Sequence, residues 1–457
     1  MSSDICPDSR KSRWERAFIK VRSPFEEFVH DEATGGLLLM GCAFLAMILA
    51  NSPLAPWYED LLHTYLTLSL GDFTLRYTVH HWINDGLMGL FFFVVGLEIK
   101  REILVGELAD FRQAILPVAA ALGGMVAPAL VYFILNRQGP GLNGWAIPMA
   151  TDIAFAMGTL VLLGPRAPKA LLGFLLALAI VDDLGAVLVI ALFYTAQINW
   201  PALLAAGVCL LLLIISNVVG LRRPLPYLVF GTALWLAMLK SGIHATLAGV
   251  ITALTVPANS PCSTTMFVKQ ARELLGQFTA SEERDRQIME NSQQQAILQG
   301  METTVKLTES PLQRLEHHLH LWVSFLIVPL FALANAGIKI DLGGLAATLG
   351  HPVTLGVIMG LVLGKPLGIC GAVWLVTKMF KVAMPPGMGP SQVLGVSLLA
   401  GIGFTMSIFI GGLAFAGEPQ LLLNAKIGVV IASLLAGLTG GAILFVAGSP
   451  RPPTASR

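Results

Sequence analysis

Charged residues are scarce in this chain, and their scarcity excludes most classes of protein. Only 12% of the 457 residues are Asp, Glu, Lys or Arg, which is about half the share found in soluble domains. Hydrophobic residues make up 55% of the chain, and the mean hydropathy is +0.73. The net charge of +1 gives no basis for binding nucleic acid. The composition predicts an all-α polytopic membrane protein.

Cysteine is scarce as well, and no signal peptide is visible. The chain has five cysteines, of which Cys42, Cys209 and Cys370 lie inside apolar runs. We interpret them as core-filling residues, not as a disulfide framework or a metal cluster. Residues 1–33 are polar and basic and lack the apolar segment of a cleavable leader. The expected organisation is a cytoplasmic segment at 1–33, a membrane domain at 34–448 and a cytoplasmic tail at 449–457.

Apolar runs long enough to cross a bilayer, which takes roughly 20 residues, recur along the whole chain. Of the 29 Lys and Arg residues, 23 fall in loops on one side of a twelve-span arrangement, and Lys365 lies within a span. The positive-inside rule makes that side cytoplasmic, together with both termini. The predicted spans are 34–54, 82–105, 113–135, 145–164, 170–196, 201–219, 226–239, 241–257, 318–338, 353–377, 391–416 and 424–448.

Two connecting segments have distinct patterns. Tyr65–Val79 alternates apolar and polar residues around a Gly71–Asp72 turn, which predicts a small extracytoplasmic β-hairpin. Such a hairpin serves either as a lid or, through its unpaired edges, as a surface for subunit pairing. The segment Ala258–Glu316 is a long cytoplasmic loop whose sequence allows marginal helix over much of its length, and we interpret its middle as a solvated, partly ordered linker.

The end of this loop carries a helix-start signal. Ser310 and Gln313 form a predicted capping box, with Pro311 at the first helical position. The three histidines that follow have no acidic or Cys partners at ligand spacing, so we expect no resident metal site there. Those histidines are His317, His318 and His320.

Two adjacent aspartates occupy the centre of the fifth span. Asp182 and Asp183 lie in LALAIVDDLGAVLVIAL, with no charged residue between them and Lys169. Charge at this depth survives mainly where it faces a protein interior or a watery cavity. Neighbouring residues do not share a helix face, so the two carboxylates are expected to hold different partners.

Two other spans carry helix-breaking patterns. In AIPMATDIAFAMG, Pro148 precedes Thr151 and Asp152, which predicts a break just before the aspartate. A carboxylate there would offset the positive end of the following half-helix, whereas Thr151 has the alternative of bonding to its own helix. Gly401 and Gly403 predict a second break in the eleventh span. The fourth and eleventh spans are the middle members of two three-span blocks, spans three to five and spans ten to twelve. Interrupted spans at corresponding positions of two blocks indicate inverted repeats, with an ion site between them.

A single lysine lies inside the tenth span. Lys365 directly follows Gly364, the third of four glycines at four-residue spacing from Gly356 to Gly368, and it precedes Pro366. Glycines on one helix face allow a close approach of two helix backbones. A buried lysine must be paired or neutral, and the buried aspartates are its expected partners. The alternative is that its side chain extends to the membrane surface.

Further charged groups lie near the ends of spans. The second span carries Asp85 near its outer end, and Glu98 and Glu102 on one face near its inner end. For the two glutamates, and for Glu102 above all, an ordinary interfacial charge cluster is the alternative. His244 lies near the outer end of the eighth span, where it suits either a pH switch or an ordinary hydrogen-bonded position.

Seven segments together resemble the NhaA-type sodium/proton antiporters of bacteria. The resemblance covers Phe25 to about Ala447 with the segments in the family's order. The cytoplasmic loop before Glu316 is longer than the family pattern implies. The segments are INDGLMGLFFFVVGLEIKREI, ATDIAFAMG, AIVDDLGAVLVIALFY, SGIHATLAGVI, LEHHLHLWV with PLFALANAGI, LGKPLGI and AGIGFTMSIFI.

The resemblance implies a fold, a function and roles for individual residues. It implies twelve transmembrane helices with inverted repeats and two broken crossing helices, in an inner-membrane homodimer paired through the hairpin at 65–79. It implies no cofactor and no enzymatic activity. The implied roles are ion binding or proton carriage for Asp182, Asp183, Asp152, Thr151 and Lys365, pH sensing for Glu98, Glu102, His244 and Glu316, and a place on the cation pathway for Asp85.

Physical reasoning gives a mechanism to test. A buried carboxylate holds a proton or a sodium ion more readily than it stays charged alone. We hypothesise that Asp183 is the principal ligand and proton carrier, with Asp182 coupled to Lys365. The site then exports Na⁺ or Li⁺ in pH-regulated, electrogenic exchange for protons. The alternatives are an organic-anion symporter on the same scaffold and an intramembrane aspartyl protease, whose Gly-x-Gly-Asp signature ends here in Phe404.

Overall fold

The computed structural model is predominantly helical and contains one two-stranded sheet. It describes residues 32–71, 73–106, 108–164, 169–195, 198–260, 263–281, 291–339, 343–381, 384–385 and 388–447. Asp72 of the predicted turn, residues 1–31 of the N-terminal segment and the predicted tail lie outside these ranges. Six helices in the described ranges are long and apolar enough to cross a membrane, or nine if each of three bent helix pairs is one span.

The chain folds into two compact units. The first contains the described residues up to Thr64, then 115–182, and the described residues from Ser324 onward. Its helices before Asp182 are α1 (Glu32–Ala50), α2 (Ala55–His63), α5 (Phe111–Leu135, mostly in this unit), a 3-10 helix (Pro140–Met149), α6 (Ile153–Leu162) and the first part of α7 (Lys169–Phe193).

The first unit continues with seven helices and two π-helical turns. They are the turn Val323–Ile327, α14 (Val328–Asn335), α15 (Leu345–Gly350), α16 (Pro352–Met359), the turn Gly360–Gly364, α17 (Lys365–Phe380), α18 (Pro390–Leu399), α19 (Phe404–Ala414) and α20 (Pro419–Ala447).

The second unit contains 65–114 and 183–323. It begins with the predicted hairpin, in which β1 (Tyr65–Leu70) pairs antiparallel with β2 (Phe73–Thr78), Tyr65 opposite Thr78. Its helices are α3 (Val79–His81), a π-helical turn (Trp82–Leu87), α4 (Met88–Val105), the end of α7, α8 (Trp200–Val218), α9 (Pro224–Ser241), α10 (Leu247–Thr255), α11 (Thr264–Ala280), α12 (Ser292–Thr308) and α13 (Pro311–Trp322).

Helical segments cover part of each of the twelve predicted stretches, but one prediction needs correction. The eighth stretch was predicted as helical from 241, whereas α9 extends to Ser241 and α10 begins only at Leu247. Gly242 ends α9 in a left-handed conformation, φ 85°, which glycine adopts without steric cost. His244 consequently lies in a non-helical connection.

Helix, which the sequence allows over much of the long cytoplasmic loop, is present there, and residues 282–290 in the middle of the predicted linker lie outside the described ranges. Helices α11 and α12 pack against each other in this segment. Ser263 caps α11 and Asn291 caps α12, each by accepting a backbone hydrogen bond. The capping box of Ser310 and Gln313 is confirmed and starts α13 at Pro311.

The glycine stripe of the tenth span packs directly on α5. A Cβ atom on Gly368 would overlap the Gly123 carbonyl, and a Cβ on Gly123 would overlap the Gly368 carbonyl. Gly364 faces Pro128 in the same way. The backbones of α5 and α17 therefore approach as closely as the spacing predicted, which fixes the position of Lys365 at the start of α17.

Candidate ion-binding site

The first helix break lies between the 3-10 helix and α6, whose axes are bent by 41°. Pro148 is inside the 3-10 helix. The non-helical residues are Ala150, Thr151 and Asp152, so the break begins two positions after the proline. Asp152 has φ −89° and ψ 100° and caps α6 by accepting the Phe155 amide at 3.0 Å. A carboxylate in this position stabilises the positive end of the half-helix.

The second break lies between α18 and α19, which are bent by 49°. Gly401 is required by space, because a Cβ there would lie 2.6 Å from the Leu361 carbonyl oxygen. Gly403 has the same constraint, since its Cβ would overlap the Ser407 hydroxyl. The two glycines thus bring the backbone of this break against neighbouring carbonyl groups.

The two breaks are joined by hydrogen bonds. The Asp152 amide donates to the Ile402 carbonyl at 2.7 Å. In the other direction, Asp152 Oδ2 accepts from the Thr405 amide at 2.9 Å and from the Thr405 hydroxyl at 2.5 Å. Ser407 Oγ donates to the Ile147 carbonyl at 2.8 Å. Backbone groups freed by the breaks are therefore satisfied between them, as a membrane interior demands.

Asp182 lies next to this crossing and is 1% exposed. Its Oδ2 accepts a hydrogen bond from Thr151 Oγ1 at 2.6 Å and an ion-pair contact from Lys365 Nζ at 2.7 Å. Thr151 Oγ1 is also 3.0 Å from the Ala400 carbonyl. Because a hydroxyl has one proton, Thr151 can donate to only one of these two acceptors at a time.

Lys365 is completely buried and points into the protein. Besides Asp182, its Nζ donates to the Met149 carbonyl, at the end of the 3-10 helix. A lysine at a helix C-terminus offsets the negative end of the peptide dipoles. The first break thus has a carboxylate at the start of α6 and an ammonium at the end of the preceding helix.

The carboxylates and hydroxyls of this site form an oxygen-rich donor set. Asp183 follows Asp182 in α7 and is fully buried. Within the described part of the chain, Asp182 Oδ1 is buried without a hydrogen-bond partner. Carboxylate and hydroxyl oxygens suit hard cations, so the residues present fit a small alkali cation as a transported substrate.

The second unit brings together three of the four predicted pH-sensing residues. Arg101 contacts Glu102 at 3.2 Å and Glu316 at 3.1 Å, while His320 is 3.6 Å from Glu98. Each of these ion-pair contacts has a partly exposed cation. The cluster lies where α4 meets α13.

The fourth predicted sensor, His244, belongs to a different cluster. It interacts electrostatically with Asp85, the predicted pathway residue. Asp85 also pairs with His81, whose Nδ1 is 3.3 Å from Asp85 Oδ2. His81 in turn stacks on Tyr77 of the hairpin, with 4.3 Å between ring centroids.

Comparison with known proteins assigns this arrangement to a family. The profile of the Na⁺/H⁺ antiporter 1 family matches residues 26–444. This chain belongs to that family. It is 50% identical over 428 residues to the Na⁺/H⁺ antiporter NhaA 1 of Saccharophagus degradans, covering 94% of this chain and 92% of the relative. It is also 50% identical over 427 residues to NhaA of Sulfurimonas denitrificans (93% and 96%) and 47% over 442 residues to NhaA of Dichelobacter nodosus (96% and 95%).

Sequence reasoning missed several groups that contact the candidate site residues. Thr405 is the main one, because it supplies two hydrogen bonds to Asp152. Its position two residues after Gly403 was the available signal, since residues at the start of a half-helix present free amides. His81 lies four positions before Asp85, a spacing that places both on one helix face, so this pair was available from the sequence. In contrast, no spacing rule joins Arg101 to Glu316.

Proposed function

We propose that this antiporter exports Na⁺ from the bacterial cytoplasm in exchange for protons, with Li⁺ as an alternative substrate. The observation that carries the proposal is the fully buried Asp182–Lys365 pair, placed beside Asp183 and the crossed helix breaks. Buried charge of this kind in a membrane protein is costly and marks ion or proton pathways.

The chemistry of exchange follows from the burial of the carboxylates. Burial disfavours a lone carboxylate, so each acid is more stable with a proton or a cation bound. In our proposal Asp183 is the principal ligand and proton carrier. Binding of Na⁺ to the carboxylates displaces protons, and the return of protons on the other side releases Na⁺. Exchange of more than one proton for each Na⁺ makes transport electrogenic.

Lys365 couples Asp182 to this exchange. As long as Asp182 is charged, the ammonium holds it at 2.7 Å and Thr151 holds the same oxygen at 2.6 Å. A cation that takes Asp182 as a ligand competes with the ammonium, and Lys365 then loses part of what stabilises its charge. Because Lys365 is already bound to a carboxylate of the protein, it is poorly placed to hold an organic anion, which argues against the symporter.

The cluster of Arg101 and the three glutamates is our candidate for pH regulation. Its groups lie where the cytoplasmic ends of α4 and α13 meet, and Arg101 joins Glu102 to Glu316. Protonation of Glu316 or His320 changes the charge balance at this contact. Replacing Arg101 by Gln should shift the pH at which exchange is half-maximal, and an unchanged profile would remove the cluster from the regulatory role.

We also infer the arrangement of the protein in the membrane. Twelve spans with inverted repeats and both termini in the cytoplasm agree with the Lys and Arg distribution and with breaks in the fourth and eleventh stretches. A homodimer through the hairpin is supported by the side chains of β1, where Leu66 is 49% and Leu68 is 55% exposed.

The decisive experiment uses everted membrane vesicles with an acid-inside pH gradient. NaCl, LiCl, KCl or an organic anion is added at several pH values, and collapse of the gradient is followed. Wild type should respond to Na⁺ and Li⁺. Asp183→Asn should abolish the response while the folded protein remains, whereas Asp60→Asn, at an exposed site in α2, should retain it.

Each outcome has a defined meaning. Exchange retained by Asp183→Asn would refute the assignment of the principal ligand. Collapse that depends on the organic anion would establish symport instead. A wild-type protein that is folded and does not respond to Na⁺ at any pH would refute the proposed function.

A further inference from the structure

Helix α20, which no sequence motif singled out, supports the second helix break. Gly401 of the break lies against Ala436, because a Cβ on that glycine would be 3.3 Å from the Ala436 Cβ. One residue along α20, a Cβ on Gly437 would be 3.5 Å from Ile402 Cδ1. The middle of α20 is therefore in van der Waals contact with the non-helical residues between α18 and α19.

A polar contact lies at the same place. Ser433 Oγ accepts the backbone amide of Phe404, the first residue of α19, at 3.2 Å. Ser433 is 7% exposed and Phe404 is 4% exposed. An amide in the first turn of a helix has no partner within the helix, and at this depth water does not replace one. The hydroxyl therefore caps α19 from a neighbouring helix.

The register of α20 is fixed on both sides of Ser433. On one side a Cβ on Gly428 would be 3.0 Å from the Thr354 carbonyl oxygen of α16. On the other side a Cβ on Gly440 would be 2.9 Å from the Gly395 carbonyl oxygen of α18. Since α20 packs this closely at two points, Ser433 is held opposite the Phe404 amide by rigid elements.

The start of α19 thus has two side-chain acceptors with different properties. Asp152 accepts the Thr405 amide, and Ser433 accepts the Phe404 amide one residue earlier. The acceptor strength of Asp152 changes whenever its carboxylate binds a proton or a cation, whereas that of the serine hydroxyl stays the same. The neutral acceptor keeps α19 in place while the charged one takes part in exchange.

We propose that Ser433 is a positioning residue for Na⁺/H⁺ exchange, acting through Asp152. This inference rests on the proposed function. Without the hydroxyl, the buried Phe404 amide loses its partner, and the start of α19 shifts towards the Asp152 carboxylate. A further hydrogen bond to that carboxylate competes with a bound cation for the lone pairs of its oxygens.

The expected result is a change in affinity. Ser433→Ala should raise the apparent KM for Na⁺ by roughly two- to tenfold, the range that one neutral hydrogen bond supports. The maximal rate per folded molecule should change less than KM. A residue needed only for folding would lower the amount of protein and leave KM unchanged.

The test measures KM and maximal rate in everted vesicles, with the folded amount determined by size-exclusion chromatography in detergent. Ser433→Thr keeps the hydroxyl and should restore wild-type values, and Ser433→Cys, a weaker acceptor, should lie between Ala and wild type. The control is Ser216→Ala in α8, because Ser216 is also buried and its hydroxyl donates to the Leu212 carbonyl of its own helix, at 2.8 Å. That variant should match wild type.

Three results would overturn the proposal. The first is an unchanged KM in Ser433→Ala. The second is a change equally large in Ser433→Thr, since the hydroxyl would then not be its cause. The third is an equal change in Ser216→Ala. A failure of the wild-type protein to exchange Na⁺ at all is a different outcome, which refutes the proposed function and not the capping contact.

Discussion

Breaking the buried ion pair should cost a large share of the protein's stability, and removing both charges should restore it. Lys365→Met leaves Asp182 buried with Thr151 as its remaining partner on Oδ2, and it also removes a donor from the Met149 carbonyl. Loss of one member of a buried pair costs about 3–5 kcal/mol, because the other charge stays uncompensated. The double variant Lys365→Met with Asp182→Asn has no buried charge in the pair and should lie within about 1 kcal/mol of wild type.

The pH dependence tests the cause of this loss. In Lys365→Met, burying the neutral form of Asp182 costs less free energy than burying the charged form. The folded variant therefore retains a proton that the unfolded chain releases, so its stability relative to wild type falls as the pH rises. The loss should be largest near pH 8.5 and smaller near pH 5. The double variant should show no such additional dependence.

Denaturant unfolding in detergent, followed by tryptophan fluorescence, measures all four members of this double-mutant cycle. Exchange in vesicles is recorded alongside, and none is expected from the double variant, which lacks an acid of the site. A loss below about 1 kcal/mol at pH 8.5 for Lys365→Met would contradict the reasoning. So would a double variant no more stable than the single one.

Two further predictions concern packing and alkaline pH. Gly368→Val should destabilise the protein by about 1–3 kcal/mol, because its side chain would overlap the Gly123 carbonyl. The control is Gly371→Val, three residues further along α17, where a Cβ meets nothing within 4 Å. In detergent the control should melt close to the wild-type temperature. Tyr58, in α2 beyond the first predicted span, donates to the Leu333 carbonyl, and burial, together with the negative charge of Glu59, raises its pKa to about 12. The stabilisation from the protonated Tyr58 hydroxyl is complete below pH 10 and is lost as the pH rises towards 12. Tyr58→Phe should therefore remove the loss of stability that Tyr58 causes between pH 10 and 12. An alkaline unfolding profile identical to that of wild type would contradict this reasoning.

Features that depend on neighbouring residues were predictable from the sequence. The capping box at Ser310 uses two residues three positions apart, and the structure contains both of its hydrogen bonds. The helix interruptions were visible from proline and glycine, although Pro148 itself remains in the 3-10 helix. Local chemistry decides these features, because their donors and acceptors lie within one turn of each other.

For features that depend on distant residues, the sequence predicted the chemical type of the partner but not which residue supplies it. A buried lysine required a buried acid, but Asp182 is 183 positions away from Lys365, and no spacing rule selects it over its neighbour. Thr405 lies 253 positions from Asp152 and was not predicted as part of the site. In the loop that contains α11 and α12 the sequence indicated only marginal helix and not their pairing, since helices of low apolar content become stable through packing against each other.

The positions of the carboxylates give a physical basis for coupling ion binding to conformation. Asp152 accepts hydrogen bonds from the starts of both α6 and α19, through Phe155 and Thr405. A ligand shifts a conformational equilibrium only if it binds one state better than the other. A cation or proton bound to Asp152 weakens the hydrogen bonds that hold these two helix starts together. The binding free energy of that cation or proton therefore differs between a conformation that has these hydrogen bonds and one that lacks them. Occupancy of the site and the geometry of the two breaks are therefore thermodynamically linked.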